Sequence, residues 1–246
     1  MSFCSAVKIL LNRYTLFMRK LANISKREVV IAVATAILVG GGNMTAQQIQ
    51  KHDTRLPYAQ NTRQITWLPS SVNRWRTDIE KQAAVYNLDP NLIAVIMTIE
   101  SGGYTKADSG QAQGLMQITP TTAKEIAQKH LKTPVMKYDI WNPETNIEFG
   151  TAYLAYLRTE FCDYKTGPDW ACVELIAAGY NGGPGAANSV FKGEGLEDVQ
   201  TVSYARDALN MYREKAAAKS PTYTRWLDRG GQSLVGKAAN ETKYKK

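Results

Sequence analysis

The sequence predicts a mainly α-helical domain with, at most, a small irregular or short-stranded lobe. Apolar residues recur at helical spacing in several stretches, and residues that favour helix starts stand directly before those stretches. Alternating strand patterns are almost absent. With 44% hydrophobic residues among 246, the chain has the composition of an ordinary globular protein, for which one core is enough.

Four parts are predicted along the chain. We expect a signal peptide or N-terminal leader at residues 1–46, a linker at 47–68, a folded domain at 69–217 and a basic, flexible tail at 218–246. The linker is rich in Gln, Asn, Thr and charged residues without periodicity, so we do not expect it to pack. The tail is assigned from its charge, because a charge-rich terminus is most often solvated.

The leader is recognised by an apolar run at residues 29–39, which follows four basic residues, Arg19, Lys20, Lys26 and Arg27. The run is shorter than the roughly 20 residues of a membrane span and is typical of a signal peptide cleaved near Ala46. A retained membrane anchor is the alternative. Translation can start at Met1 or at Met18, and the sequence leaves both open. The predicted location is therefore exported, in the periplasm or cell envelope.

The formal net charge of +8 is concentrated at the ends of the chain. Residues 1–46 carry +5, residues 47–212 carry −3 and residues 213–246 carry +6. A nucleic-acid enzyme would carry a basic footprint across its folded face together with a recognisable motif, and neither is visible. No nucleic-acid partner is expected. Contact of the tail with an anionic surface is the alternative to solvation for its lysines, Lys237, Lys243, Lys245 and Lys246.

The first helix of the domain is predicted to begin at Ser71 and to stop near Asn87. Its apolar stripe consists of Val72, Trp75, Ile79, Ala83 and either Val85 or Tyr86. Asp89 has the position of an N-cap, and Pro90 occupies the first turn of the next helix. The core-facing stripe of that second helix consists of Leu92, Val95, Ile96 and Ile99, and Gly102 and Gly103 end the helix.

Further helices are predicted beyond an irregular or short-stranded lobe at residues 103–118. They begin at Pro120, at Pro143 with Asn142 as cap, at Trp170 with Asp169 as cap, and near Asp198 or Val199. The last of them runs through Tyr204, Leu209 and Tyr212.

Cys162 and Cys172 are the only cysteines outside the predicted leader, which contains Cys4. In an oxidising compartment they can form a disulfide worth about 3 kcal/mol by loop entropy. Two separately buried thiols are the alternative. No metal or cofactor is expected, because the two histidines, His52 and His130, lack ligand spacing to a second His or Cys.

Glu100 is the candidate catalytic residue. It lies at the end of the second helix and shares one edge with Ile93 and Ile96, at spacings of three and four. Partial desolvation at the margin of apolar surface favours the neutral carboxyl and raises its pKa, as a general acid near neutral pH requires. Asp108 is the nearest carboxylate in sequence, but Lys106, Ser109 and Gly110 around it indicate a turn.

Two glycine-bearing segments accompany Glu100. They are Gly114-Leu115-Met116-Gln117-Ile118 and Ala178-Gly179-Tyr180-Asn181-Gly182-Gly183. Together with the Glu100-Ser101 pair, they make residues 85–212 resemble the soluble lytic transglycosylase family, enzymes of the lysozyme-like fold that cut the glycan strands of peptidoglycan. The resemblance implies the same fold, and it makes residues 69–217 the catalytic domain.

The resemblance also implies roles for the site residues. The equivalent glutamate protonates the bridging oxygen and then deprotonates the C6 hydroxyl of the muramoyl sugar, which implies that role for Glu100. Met116 and Gln117 are implied to contact sugar, and Tyr180 to reach Glu100 or the acetamido group. Ser101 either orients these groups or serves as a polar helix end. The remaining substrate-binding candidates are Gly114, Leu115 and Asn181.

The implied function is cleavage of the MurNAc-GlcNAc β-1,4 bond of peptidoglycan with formation of 1,6-anhydromuramoyl ends. Small members of the family commonly serve a secretion or conjugation complex of the cell envelope, which is therefore an implied partner. A hydrolytic lysozyme and a catalytically weak peptidoglycan-binding module are the alternatives. The lack of an obvious partner carboxylate fits a transglycosylase better than a hydrolase.

Overall fold

The computed structural model describes residues 64–132, 135–162 and 169–241, and for residues 169–171 it describes the backbone alone. The predicted leader and its apolar run lie outside these residues, as do Lys243, Lys245 and Lys246. Within the described ranges, no helix combines the length and the apolarity needed to cross a bilayer.

The described chain is mainly helical, as predicted. The helices are α1 (Ser70–Asn73), α2 (Arg76–Tyr86), α3 (Pro90–Ser101), α4 (Pro120–Glu125), α5 (Pro143–Phe161), α6 (Asp169–Phe191), α7 (Val199–Arg213), α8 (Pro221–Trp226) and α9 (Gln232–Ala239). π-Helical turns continue α4 to His130 and α8 to Gly231, and a 3₁₀ turn at Glu214–Ala216 follows α7. The predicted lobe is irregular, with isolated bridges from Gln113 to Asp108 and Ile118 as its described β pairing.

Three predicted helix starts agree with the capping bonds of the structure, whereas the helix predicted from Ser71 to Asn87 is divided into α1 and α2. Asp89 accepts the backbone N–H of Asn91 at 2.8 Å, and Asn142 accepts that of Thr145 at 3.0 Å. Asp198 caps α7 by accepting the N–H of Thr201 at 2.7 Å. Each cap precedes a helix whose apolar face is buried, so local capping and core packing select the same boundary.

The helices enclose one core. α5 contributes the buried residues Ile147, Phe149, Leu154 and Leu157 to this core, and it packs against α2 and α6. α3 and α7 lie side by side and antiparallel. The start of α3 meets the end of α7, where the Tyr212 hydroxyl donates to Oδ2 of Asp89 at 2.7 Å. Lys215 donates to the same oxygen at 3.3 Å.

The predicted linker is wrong at its C-terminal end. Ile65 and Leu68 are buried in the core, and Trp67 donates its indole N–H to the carbonyl of Glu214 at 3.0 Å. The polar composition of residues 47–68 as a whole hides these apolar residues, which have enough surface to dock on the domain. The folded domain therefore begins before residue 69.

The flexible tail from residue 218 is also wrong as far as Glu241. Ser220 caps α8 by accepting the N–H of Tyr223 at 2.9 Å, and the buried residues Trp226 and Ala238 anchor α8 and α9. Basic residues of this segment lie on its outer side, where exposed Lys237 is an example. The prediction of a solvated tail used the charge of the segment alone. It did not consider the apolar residues that lie between the charged ones.

Candidate active site

Glu100 stands at the margin of a groove of about 1040 Å³. It lies in the last turn of α3, and Gly102 ends that helix in the left-handed conformation, with φ of 59°. Glycine is suited to this cap because it has no Cβ. The carboxyl group is thus carried by a helix whose other side chains are almost all buried, and it forms part of the groove lining.

The electrostatics of Glu100 suit a proton donor. Burial raises the pKa of its carboxyl from 4.5 to about 7, and a hydrogen bond from Tyr204 partly opposes this rise. The Tyr204 hydroxyl donates to Oε1 of Glu100 at 2.5 Å. At neutral pH the group therefore populates both the acid and the carboxylate, so it can donate a proton and take one back.

Tyr204 is the partner that the sequence analysis missed. The resemblance implied contact with Glu100 or the acetamido group for Tyr180, whose hydroxyl donates to the carbonyl oxygen of Met116 at 2.8 Å. Tyr180 still lines the groove. The sequence signal for Tyr204 was a hydroxyl on the buried face of an amphipathic helix, since such a hydroxyl needs a partner.

Ser101 lies away from the groove. It is fully buried, and its hydroxyl donates to the Leu115 carbonyl at 2.7 Å, with the Met97 carbonyl at 3.3 Å. The same oxygen accepts the N–H of Gly103 at 3.1 Å. These bonds agree with the alternative interpretation of Ser101, a polar helix end, while its contact with substrate stays a prediction. Its bond to Leu115 joins the end of α3 to the first glycine-bearing segment.

The binding of substrate by Gly114, Leu115 and Met116 stays a prediction, and the structure gives all three a packing role. Leu115 and Met116 are completely buried, and none of the three lines the groove. The Met116 side chain packs on Gly150 of α5, where an added Cβ would lie 2.7 Å from Cβ of Met116. Gly114 has φ of +79°, and an added Cβ would lie 2.5 Å from Nδ2 of Asn146. These residues fix the groove floor from beneath.

Asn146 of α5 holds this segment and was not singled out from the sequence. Its Oδ1 accepts the N–H of Met116 at 2.6 Å, and its Nδ2 donates to the carbonyls of Gln113 at 2.9 Å and Ile140 at 2.8 Å. A fully buried amide with every bond satisfied specifies one loop conformation. A lone Asn in a helix gives no sign of this role because its partners are distant in sequence.

Gln117 is the residue of the first segment that reaches the groove. Its backbone is left-handed, with φ of 47°, and its Nε2 donates to the carbonyls of Ala107 and Gly114 at 3.0 Å each. These bonds fix the amide plane. Among the described residues its Oε1 has no hydrogen-bond partner, so the oxygen is available to a ligand donor.

The second segment forms another part of the groove wall. Asn181 is exposed and lines the groove beside Tyr180, and its Oδ1 accepts the Thr201 hydroxyl at 3.0 Å. Gly183, with φ of 80° and ψ of 175°, breaks α6 directly after these residues. The break turns the chain at the groove edge, as the glycine-rich sequence predicted.

Three more carboxylates line the same groove, namely Glu194, Glu197 and Asp198. Hydrogen bonds from the hydroxyl and the N–H of Thr201 lower the pKa of Asp198. Asp108, the carboxylate nearest in sequence, accepts the N–H of Gly110 at 2.8 Å in an exposed turn and does not line the groove. Its interpretation as a turn residue is correct, while the carboxylates between α6 and α7 were not foreseen.

Cys162 and Cys172 are free thiols, so the predicted disulfide is not formed in the structure. Sγ of Cys162 lies 3.9 Å from the carbonyl oxygen of Cys172. A hydrogen bond with the Cys172 side chain and burial both raise the pKa of the Cys162 thiol. A neutral, hydrogen-bonded thiol is poorly reactive, which is consistent with the unlinked pair.

Among the described residues, no three His, Cys, Asp or Glu side chains cluster as a metal site would require.

Comparison with known proteins shows that most of the groove-lining residues lie in a stretch that matches a known family. The family model of the transglycosylase SLT domain matches residues 78–202. The chain is 35% identical over 128 residues to the membrane-bound lytic murein transglycosylase C of Actinobacillus pleuropneumoniae serotype 5b (strain L20), covering 51% of this chain and 35% of that protein. It thus spans about a third of the length of that relative.

Two further proteins are similar. The endo-type membrane-bound lytic murein transglycosylase A of Enterobacter sp. (strain 638) is 29% identical over 144 residues, covering 57% of this chain and 66% of that protein. A solved structure of an inactive mutant of the lytic transglycosylase Slt from Pseudomonas aeruginosa is 26% identical, with a TM-score of 0.46, and covers 60% of this chain and 25% of that one.

Proposed function

Because the chain belongs to the transglycosylase SLT domain family, we propose that it is a lytic transglycosylase that cleaves the MurNAc-GlcNAc β-1,4 bond of peptidoglycan and leaves 1,6-anhydromuramoyl ends. One observation carries the proposal. Glu100 lines a groove of about 1040 Å³, and burial raises the pKa of its carboxyl to about 7. A carboxyl group in this state can serve as the acid and then as the base of one reaction.

The proposed reaction has two proton transfers at Glu100. The protonated carboxyl first gives its proton to the bridging oxygen, so that the bond from this oxygen to the anomeric carbon breaks. The N-acetyl oxygen of the same sugar stabilises the positive charge that develops at that carbon. Glu100, now a carboxylate, removes the proton from the C6 hydroxyl, whose oxygen bonds to the anomeric carbon. No water is consumed, and the acid is restored.

Tyr204 and the groove walls support these steps. The bond from Tyr204 to Oε1 stabilises the carboxylate form of Glu100 between the two transfers. Gln117 and Asn181 both present polar side chains to the groove. We assign them hydrogen bonds to the hydroxyl and acetamido groups of the glycan, which would hold the scissile oxygen beside Glu100.

A hydrolytic lysozyme is the second candidate, and one observation favours it. Asp198 lines the groove with Glu100, and its lowered pKa keeps it ionised at neutral pH. An ionised carboxylate opposite a protonated one is the pair that hydrolytic glycosidases use. Against this role, Oδ2 of Asp198 is already bonded to the N–H and hydroxyl of Thr201. This oxygen of Asp198 therefore serves the cap of α7.

We also place the protein in the cell envelope. The support is the predicted leader at residues 1–46 and the names of the relatives, two of which are described as membrane-bound. Local opening of the wall for a secretion or conjugation complex is the proposed role. N-terminal sequencing of the exported protein tests the leader: cleavage near Ala46 supports it, and an intact N-terminus on membrane-bound protein favours the anchor.

Mass spectrometry of muropeptides after incubation with the protein tests the reaction. We expect 1,6-anhydromuramoyl ends from the parent protein. We expect at least a thousandfold less product from Glu100→Gln, which keeps the shape but can neither donate nor accept the proton. Asp108→Asn, in its exposed turn, is the matched control and should retain activity within about twofold.

Each other product pattern contradicts the proposal in a distinct way. Reducing ends from the parent, lost in a folded Asp198→Asn variant, would identify the hydrolase. Glycan that stays intact but bound would identify a binding module. Normal turnover by Glu100→Gln would remove Glu100 from the mechanism.

A further inference from the structure

The turn that follows Glu100 is held from behind by both ends of the described domain. On one side the Ser71 hydroxyl donates to the carbonyl of Gly102 at 2.6 Å, and Arg74 donates to that of Gly103 at 2.8 Å. On the other side α9 packs against the same turn, because a Cβ added to Gly102 would lie 3.0 Å from Cγ2 of Val235. Helices distant in sequence thus meet at the end of α3.

Glu241, two residues beyond α9, closes this arrangement. Its Oε2 receives a hydrogen bond from Nη2 of Arg74 at 2.5 Å, and its Oε1 accepts the N–H of Thr105 at 3.2 Å together with the Thr105 hydroxyl. Only 11% of the Arg74 side chain and 10% of the Glu241 side chain are exposed. We call Arg74, Thr105 and Glu241 the clasp.

We propose that the clasp positions Glu100, with Arg74 and Glu241 as positioning residues for the reaction. Neither residue lines the groove, so both act through the backbone of residues 102–105. Both also lie outside residues 78–202, the stretch that the family model matches. The inference rests on the proposed function of Glu100 and adds to it a dependence on the C-terminal segment of this chain.

The turn needs such external contacts for a physical reason. Gly102 and Gly103 both have positive φ, at 59° and 81°. Glycine adopts many conformations at similar energy, so two in succession do not fix the direction of the chain by themselves. A nearly buried ion pair resists rearrangement, because moving one partner leaves the other charge desolvated and unpaired. The clasp therefore supplies the rigidity that the glycines lack.

Glu241→Ala in the full chain tests the proposal, with Glu214→Ala as matched control. Glu214 is also a carboxylate of the C-terminal region that accepts several bonds, from Ser220 and from the N–H and hydroxyl of Thr222, but it serves the start of α8. At a temperature where both variants are folded by circular dichroism, Glu241→Ala should lower kcat about tenfold with KM within twofold. Glu214→Ala should keep kcat within about twofold.

A ¹³C-NMR titration of the Glu100 carboxyl gives a readout without substrate. The titratable groups that face Glu100 are Tyr204 from α7 and Tyr180 from α6, and both variants retain them. They also retain the other groove carboxylates, Glu194, Glu197 and Asp198. In Glu241→Ala the loosened turn should admit water to the carboxyl, so its pKa should fall towards the ordinary value, whereas Glu214→Ala should keep the pKa of the parent.

The two readouts separate the clasp from the reaction. If the parent cuts no glycan, the proposed function fails, and the titration still decides the clasp. An unchanged Glu100 pKa and kcat in folded Glu241→Ala would overturn the proposal, as would an equal loss in Glu214→Ala. If Glu241→Ala does not fold, Thr105→Val provides a second test, because it removes one hydroxyl bond of the clasp. This variant should lower kcat about threefold and should also lower the Glu100 pKa. No change in that variant would also overturn it.

Discussion

The two segments that accompany Glu100 both contain a glycine with positive φ, but they have different places in the structure. Residues 114–117 lie mostly in the core, tied to Asn146, and one side chain, Gln117, reaches the groove. Residues 180–183 line the groove through Tyr180 and Asn181 and then turn away at a break in α6. The first segment shapes the groove from below, and the second forms its wall.

Glycines in the two segments are required for different reasons. Gly114 and Gly183 have nearly the same backbone, with φ of +79° and +80°. An added Cβ at Gly114 meets the Asn146 amide, whereas at Gly183 nothing lies within 4 Å. The first glycine is required by space and by conformation, the second by conformation alone. Substitutions can therefore separate the two segments.

The largest effect is expected from Gly114→Ala, compared with Gly183→Ala. Both variants place a Cβ in the left-handed region, but Gly114→Ala also pushes Asn146 off the Met116 N–H. We expect a loss of about 4 kcal/mol in the free energy of unfolding for Gly114→Ala and about 1 kcal/mol for Gly183→Ala, measured by chemical denaturation. Equal losses would mean that the first segment is no more tightly held than the second.

The acid between the segments should itself affect stability. The folded protein raises the pKa of Glu100 from 4.5 to about 7, so it binds this proton more tightly than the unfolded chain does. The stabilisation is complete below about pH 4 and is lost as the pH rises through 7. Glu100→Gln cannot ionise, so at pH 8 it should be more stable than the parent, by up to about 3 kcal/mol. Identical denaturation curves at pH 8 would contradict the burial of this acid.

Two tyrosine hydroxyls provide a third test, one that bonds to Glu100 and one that joins the two segments. Tyr204→Phe removes the bond that lowers the Glu100 pKa, so that pKa should rise. The alkaline limb of the kcat profile should move to higher pH, and kcat should fall about tenfold. Tyr180→Phe removes the donor to the Met116 carbonyl instead, so it should cost about 1 kcal/mol of stability and leave the limb in place. A shifted limb in Tyr180→Phe alone would reverse the two assignments.

The smallest effect is expected from Asn181→Ala on the groove wall. The side chain is exposed and bonds to Thr201, which also bonds to Asp198, so little stability should be lost. We expect KM for soluble glycan fragments to rise about fivefold while kcat stays within twofold, since one substrate hydrogen bond is removed. An unchanged KM in steady-state kinetics would show that the second segment does not bind through Asn181.

The helical architecture and Glu100 were predictable from the sequence because their signals are local. Asp89, Asn142 and Asp198 each cap the helix that immediately follows, so a few neighbouring residues determine the boundary. The raised pKa of Glu100 follows from its place on the edge of the apolar stripe of α3. Ser220 before Pro221 is the same kind of signal, and it identifies α8 within the predicted tail.

The interior of the site was not predictable, because it depends on contacts between distant elements. Asn146 holds the first segment across more than thirty residues of sequence, and Tyr204 meets Glu100 only because α7 runs antiparallel to α3. The pattern around Met116 predicted sugar contact and did not show that Gly150 admits this side chain into the core. The local sequence predicts where a helix begins and which of its faces is apolar. Which residue a buried side chain contacts depends on how the helices pack.

The pairing of α3 with α7 also limits how this chain can change in length. Tyr204 and Tyr212 bond to Glu100 and Asp89, at opposite ends of α3, so two contacts fix the relative position of the helices. One residue inserted between the tyrosines would rotate one against the other by about 100° around the helix axis. Both bonds could not then form together. The spacing between the tyrosines is thus a fixed length, and insertions in α7 should be far less tolerated than insertions in the exposed turn around Gly110.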